Sequence, residues 1–125
     1  MIIILSPYSN NPKYNFEKNF EYLEKLMKEG KPTFSPIVYG HFLAETMDLK
    51  GDYKTWEFLN KLFKIAKEFH ILCLKDWHSS EGLNMEFSKI AKMKKPIYWI
   101  DENFEQIYDN EFPNLFDFIN KNLRG

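Results

Sequence analysis

Residues 69 to 74 read FHILCL, an unbroken run in which His70 alone carries an ionisable nitrogen. Such a run, bounded by Lys67-Glu68 before it and Lys75-Asp76 after it, fits a strand buried on both faces, as in the interior of a parallel sheet. Cys73, the single cysteine, falls inside the run, where it packs as a small hydrophobe rather than reacting. Working upstream, Trp56, Leu59, Phe63 and Ala66 mark an amphipathic helix that leads into this strand. Downstream comes a polar loop, Asp76 to Ser80, then a helix carrying Leu83, Phe87 and Ile90. The strand PIYWI follows at 96–100, and a last helix is expected from about Pro113 to Leu123. The connector DENFEQIYDNE, 101–111, receives no element.

The same alternation governs the first half of the chain. Ile2 to Leu5 is a second fully apolar, β-branched run, followed by turn material in SPYSNNP. Phe16, Phe20, Leu23 and Met27 then recur at helical spacing as one apolar stripe, and Gly30 with Pro32 ends that helix. TFSPIVYG, 33–40, reads as a brief strand that Pro36 weakens, and residues 41–51 read as weak helix or loop. Strand and helix alternate without hairpin signals, and each crossover is long enough for a right-handed βαβ unit. The expected fold is α/β: a three-layer, Rossmann-like (flavodoxin-like) sandwich around a parallel sheet of four to five strands, with residues 1–125 as a single domain.

Composition narrows the function. With 44% hydrophobic and 28% charged residues the chain is in the globular range, and its formal net charge of −1 gives no long-range field to draw in polymeric nucleic acid or a membrane surface. MIIIL is too short for the apolar core of a signal peptide and lacks a basic leader, so a cytoplasmic protein is expected. His41 and His78 have no Cys, His or Asp partner at ligand spacing, so neither metal nor cofactor is expected. GxGxxG, the P-loop and GxSxG are all missing from the sequence, which disfavours dinucleotide, kinase-like and α/β-hydrolase chemistry.

In open parallel sheets, ligands bind beyond the carboxyl ends of the strands. Three polar loops should meet there: Ser6, Tyr8, Ser9 and Asn10 after the first strand, Tyr39, Gly40 and His41 after the second, and Asp76 to Ser80 after the third. On the helix that follows, Glu86 lies about 60° from Leu83 and about 40° from Ile90, so it borders the buried stripe. A carboxylate there costs free energy unless it is satisfied or used. Ser80 reads either as a helix cap or as a phosphate contact, and Gly82 either as turn chemistry or as a place where ligand approaches backbone. Trp77 and Tyr39 read either as base-stacking platforms or as the roof of the core.

Ser80-Glu81-Gly82-Leu83-Asn84-Met85-Glu86 resembles the Ser-x-Gly-x-x-x-Glu element of the nucleoside 2-deoxyribosyltransferase superfamily. The nearest branch is that of the nucleoside 5′-monophosphate N-glycosidases and their bacterial and phage relatives. IILSPYS and TFSPIVYGH resemble further elements of the family, and the similarity spans roughly residues 2–100. The resemblance implies cleavage of an N-glycosidic bond with Glu86 as nucleophile, Tyr8 hydrogen-bonded to it, and Ser80 at a 5′-phosphate. By the same likeness Ser6 and Ser9 would line the phosphate or sugar side and His41 would reach the pocket; Trp77 and Gly82 join them as substrate-binding candidates from the reading of their own positions, and the likeness further implies a homo-oligomer, a dimer or larger. The sequence departs from the family at Asn60 and Lys67, where acids are common, and at Asp76, where a glycine is common. Glu81 also adds a charge that repels a phosphate unless its side chain turns outward. These departures leave a second class open: a nucleotide-binding module, sensor or sponge, that binds without cleaving.

Overall fold

A computed structural model of the chain describes residues 1–47, 56–108 and 115–123. Strand β1, Ile2–Leu5, is buried at all four positions. Helix α1, Pro12–Lys28, starts on a proline whose fixed φ and missing N–H suit a first helical turn. Its buried face is Asn15, Asn19, Tyr22 and Leu26, not the expected Phe16, Phe20, Leu23 and Met27; Phe20 and Met27 are about half exposed. The two sets have the same spacing, displaced by one residue, which turns the helix by about 100°. The cause is polar: the amides of Asn15 and Asn19 are hydrogen-bonded inside, so the helix buries them in place of two phenylalanines.

Strand β2 is two residues, Thr33–Phe34. Ser35 ends it by capping helix α2, Pro36–Thr46, with its hydroxyl accepting from the Val38 N–H at 3.1 Å. The brief strand is as expected, but the proline starts a helix rather than weakening a strand, so residues 37–40 are helical. The expected helix or loop at 41–51 is helical to Thr46, and 48–51 lie outside the described residues.

A 3₁₀ helix, Glu57–Ile65, buries Leu59 and Phe63 and leads to buried Ala66, so the amphipathic pattern is met with a tighter winding. The Lys95 ammonium closes its end, donating to the carbonyls of Phe63 (3.0 Å), Lys64 (2.6 Å) and Ala66 (2.8 Å). Strand β3, Glu68–Leu72, is followed by a short 3₁₀ turn, Trp77–Ser79, helix α3, Glu81–Ile90, strand β4, Ile97–Ile100, and helix α4, Leu115–Leu123. The expected start of the last helix near Pro113 lies outside the described residues. The connector after β4 folds back on it: Ile100 bridges Gln106 antiparallel, and the Ile107 N–H donates to Trp99 at 2.7 Å.

The sheet has the order β2-β1-β3-β4 with every pairing of these strands parallel. One face packs Ile2, Ile4, Leu72 and Ile100 on Tyr22 and Leu26 of α1. The other packs Ile3, Leu5, Phe69, Ile71 and Trp99 against Phe63, Leu83, Phe87, Ile90 and Phe118. The result is a three-layer α/β sandwich of Rossmann-like form, whose order reverses between β1 and β3. Such a reversal opens a crevice at the carboxyl ends of the two strands. Among the described residues no helix is long and apolar enough to cross a membrane.

Candidate functional site

A cavity of about 770 Å³ lies at this end of the sheet, a size suited to a small organic ligand. Its walls come from the β1 loop (Ser6, Tyr8, Ser9), from α2 (Gly40, His41, Glu45), from the region of the 3₁₀ helix (Trp56, Asn60) and from α3 (Ser80, Gly82, Glu86).

The β1 loop is shaped by the buried asparagines. The Asn15 amide donates to the Tyr8 carbonyl at 3.0 Å and to Asn10 Oδ1 at 2.8 Å, while Asn10 Nδ2 reaches the Lys75 carbonyl and ties this loop to the one after β3. Asn19 Nδ2 donates to Ser6 Oγ at 2.7 Å, and the Ser35 hydroxyl donates to Asn19 Oδ1 at 3.1 Å. One amide therefore joins the end of β1 to the cap of α2. Ser6 lines the cavity, yet its hydroxyl is engaged by Asn19 and donates to the Pro7 carbonyl.

Glu86 sits where helical geometry puts it, on the flank of α3 between the buried Leu83 and Ile90, with its side chain lining the cavity. Burial pushes its carboxyl up to about 8, and the charge of Lys89 opposes that only in part. Lys89 itself pairs with Glu57 at 3.7 Å. Among the described residues no hydrogen bond reaches the Glu86 carboxyl.

Tyr8 has a different partner from the one the resemblance implies. Its hydroxyl shares a 2.7 Å hydrogen bond with His41 Nδ1. Burial and the nearby charge of Glu45 both raise the phenol. The His41 ring is held between the edge of Tyr8 and the face of Phe16, the latter stacked at 4.2 Å between centroids. That stack explains why Phe16 stays half-buried although it lies off the core face.

At the mouth of α3 the Ser80 hydroxyl accepts from the Leu83 N–H at 3.3 Å, so it caps the helix and faces the cavity at once. Gly82 lies inside the first helical turn, not in a turn of its own. Ser9 and Glu81 are exposed at the rim, where both line the cavity.

Trp77 does not join the site. It is 3% exposed and packs on Phe118 and Trp99 at 4.8 and 5.7 Å between ring centroids, so of its two readings the structure selects the core. Tyr39 also misses the cavity and leans on Phe34. Among the described residues no group of three or more His, Cys, Asp or Glu could hold a metal ion.

Sequence reasoning missed Glu45 and Trp56 as site residues, and Asn15 and Asn19 as the residues that shape it. One signal was available for Trp56: Gly40 stands inside the continuous helix α2, and a Cβ there would meet the Trp56 ring at 3.7 Å, so the indole lies close against the helix backbone. Compared with protein-family models, curated proteins and solved structures, the chain gives no match.

Proposed function

We propose that the chain is an N-glycosidase acting on a nucleoside or nucleoside 5′-monophosphate, with Glu86 as the nucleophile. The observation that carries this reading is a carboxyl raised by burial, with no hydrogen bond from the described residues, on the wall of a cavity of about 770 Å³ at the topological switch point. The likeness of residues 80–86 to the deoxyribosyltransferase element supports it.

The C1′–N bond would break with its electron pair leaving on the base, while a Glu86 oxygen bonds to the oxocarbenium-like C1′. Water then releases the sugar; a second base in its place gives deoxyribosyl transfer. Attack needs the ionised carboxylate, and in the free cavity Glu86 is mostly protonated at neutral pH. The rate should therefore rise with pH toward about 8.

Purified protein incubated with nucleosides and 5′-monophosphates should release free base, and Glu86→Gln should lower kcat by about a thousandfold or more. Intact substrates throughout would overturn the reading. The pairing of Tyr8 with His41 rather than Glu86 favours one alternative, a nucleotide-binding module that does not turn over. A nucleotide that raises the melting temperature yet stays intact identifies that alternative.

A homo-oligomer belongs to the proposal. Helix α2 is largely apolar but buries none of its residues; Phe42 on it is 63% exposed, and Phe20 of α1 is 48% exposed. A cytoplasmic setting also goes with it, since free nucleosides and nucleotides are handled there.

A further inference from the structure

The glycosidase reading leaves the charge of the substrate open, and the cavity bears on it. Three carboxyl groups line it, Glu45, Glu81 and Glu86, against one imidazole, His41, and no lysine or arginine among the described lining residues. Residues 48–55, outside the description, hold Asp48 and Asp52 against Lys50 and Lys54, so their formal charges cancel. Lys89 acts on Glu86 from outside the lining and is paired with Glu57. A phosphate entering this cavity at neutral pH meets the carboxylates of Glu45 and Glu81, Glu86 being mostly protonated; a cation meets those carboxylates and the Trp56 indole.

The acid chemistry points the same way. Cleaving a neutral base from C1′ calls for a proton donor to the departing ring. Tyr8 is a weak acid made weaker by burial and by Glu45, and the Nδ1 of His41 is occupied by the Tyr8 hydroxyl. A base that already carries a positive charge needs no such donor.

We propose that the cavity takes a nucleoside whose base bears a fixed positive charge, an N-alkylated purinium or a quaternary pyridinium, in preference to the neutral or 5′-phosphorylated counterpart. The C1′–N bond breaks with its electron pair passing to the ring nitrogen, so the base departs neutral. A Glu86 oxygen takes its place on C1′. Water then attacks C1′, Glu86 leaves as the carboxylate, and one proton is released to solvent for each bond cleaved.

Affinity, rather than rate, is the readout, because cationic nucleosides are also the more labile. Using the Glu86→Gln protein to prevent turnover, calorimetric Kd values are compared for 7-methylguanosine, guanosine and guanosine 5′-monophosphate, and for nicotinamide riboside and its 5′-monophosphate. The expected order is cation, neutral, phosphate, with about tenfold between the first two, narrowing as salt is raised. In a Glu45→Gln, Glu81→Gln, Glu86→Gln protein, checked by thermal melting for folding, the preference should shrink to about twofold or less. Equal Kd values, or tightest binding by a monophosphate, overturn the proposal. Base release by the wild-type protein is scored separately: the Kd order without release means charge selection stands and the glycosidase reading fails, and release without the order means the reverse.

Discussion

Glu86 is a group whose consequences can be worked out on its own. In the unfolded chain its carboxyl titrates near 4.5, and in the fold burial moves it to about 8. Between those values the native state holds a proton that the unfolded state has lost, so stability falls as pH rises, by roughly 1.4 kcal/mol per pH unit. Urea unfolding from pH 5 to pH 8 should show that slope, and Glu86→Gln should flatten it and be the more stable protein at pH 8. Position and environment separate here. Helical spacing placed Glu86 at the edge of the buried stripe, while its place on the wall of a cavity shared with the β1 loop and α2 is a matter of tertiary packing; the residue as a whole keeps intermediate exposure. Asp76 is a second residue with a local argument. It adopts φ 60°, ψ 26°, the left-handed region, and its side chain makes no capping bond. Asp76→Gly should be neutral to stabilising by up to about 1 kcal/mol, whereas Asp76→Val should cost about 1–2 kcal/mol, both read by chemical denaturation.

At the scale of elements, the one-residue rotation of α1 shows where periodicity fails. Both stripes, 16-20-23-27 and 15-19-22-26, have helical spacing, and hydrophobicity favours the first. The second wins because Asn15 and Asn19 find partners on the β1 loop and at the cap of α2, partners that only the packed structure brings near. Asn19→Ala should therefore destabilise by about 2–4 kcal/mol, since it strips partners from the buried Ser6 and Ser35 hydroxyls together. It should also weaken ligand binding, because the β1 loop and α2 form two walls of the cavity. The 3₁₀ helix gives a companion case. Lys95→Met takes the ammonium from three carbonyls, of which Phe63 keeps the Ala66 N–H, and should cost about 1–2 kcal/mol in urea unfolding.

For the whole molecule, the tryptophans report on which side of the architecture each belongs. Trp56 lines the cavity while Trp77 and Trp99 are buried in the core, so ligand binding should change the intrinsic fluorescence and Trp56→Phe should abolish most of that change. Trp77→Ala should instead cost about 3–5 kcal/mol of stability, the range for emptying a large aromatic site in a core. Sedimentation of the wild-type chain beside Phe42→Ser tests the proposed assembly: the substitution should shift the protein toward monomer.

The sequence by itself determined the alternation of buried strands and helices, hence the parallel sheet, the end of that sheet where loops converge, and the position of Glu86 beside the core stripe. These follow from chain-local patterns: unbroken apolar runs, helical spacing and crossover length. Tertiary structure alone decided that α1 buries asparagines, that Tyr8 pairs with His41, that Trp77 belongs to the core and Trp56 to the cavity, and that Glu45 shares the cavity wall with the phenol. Each depends on a hydrogen-bond partner or a neighbouring ring from a distant segment. Local pattern carries no information about such a partner until the sheet and helices have closed around it.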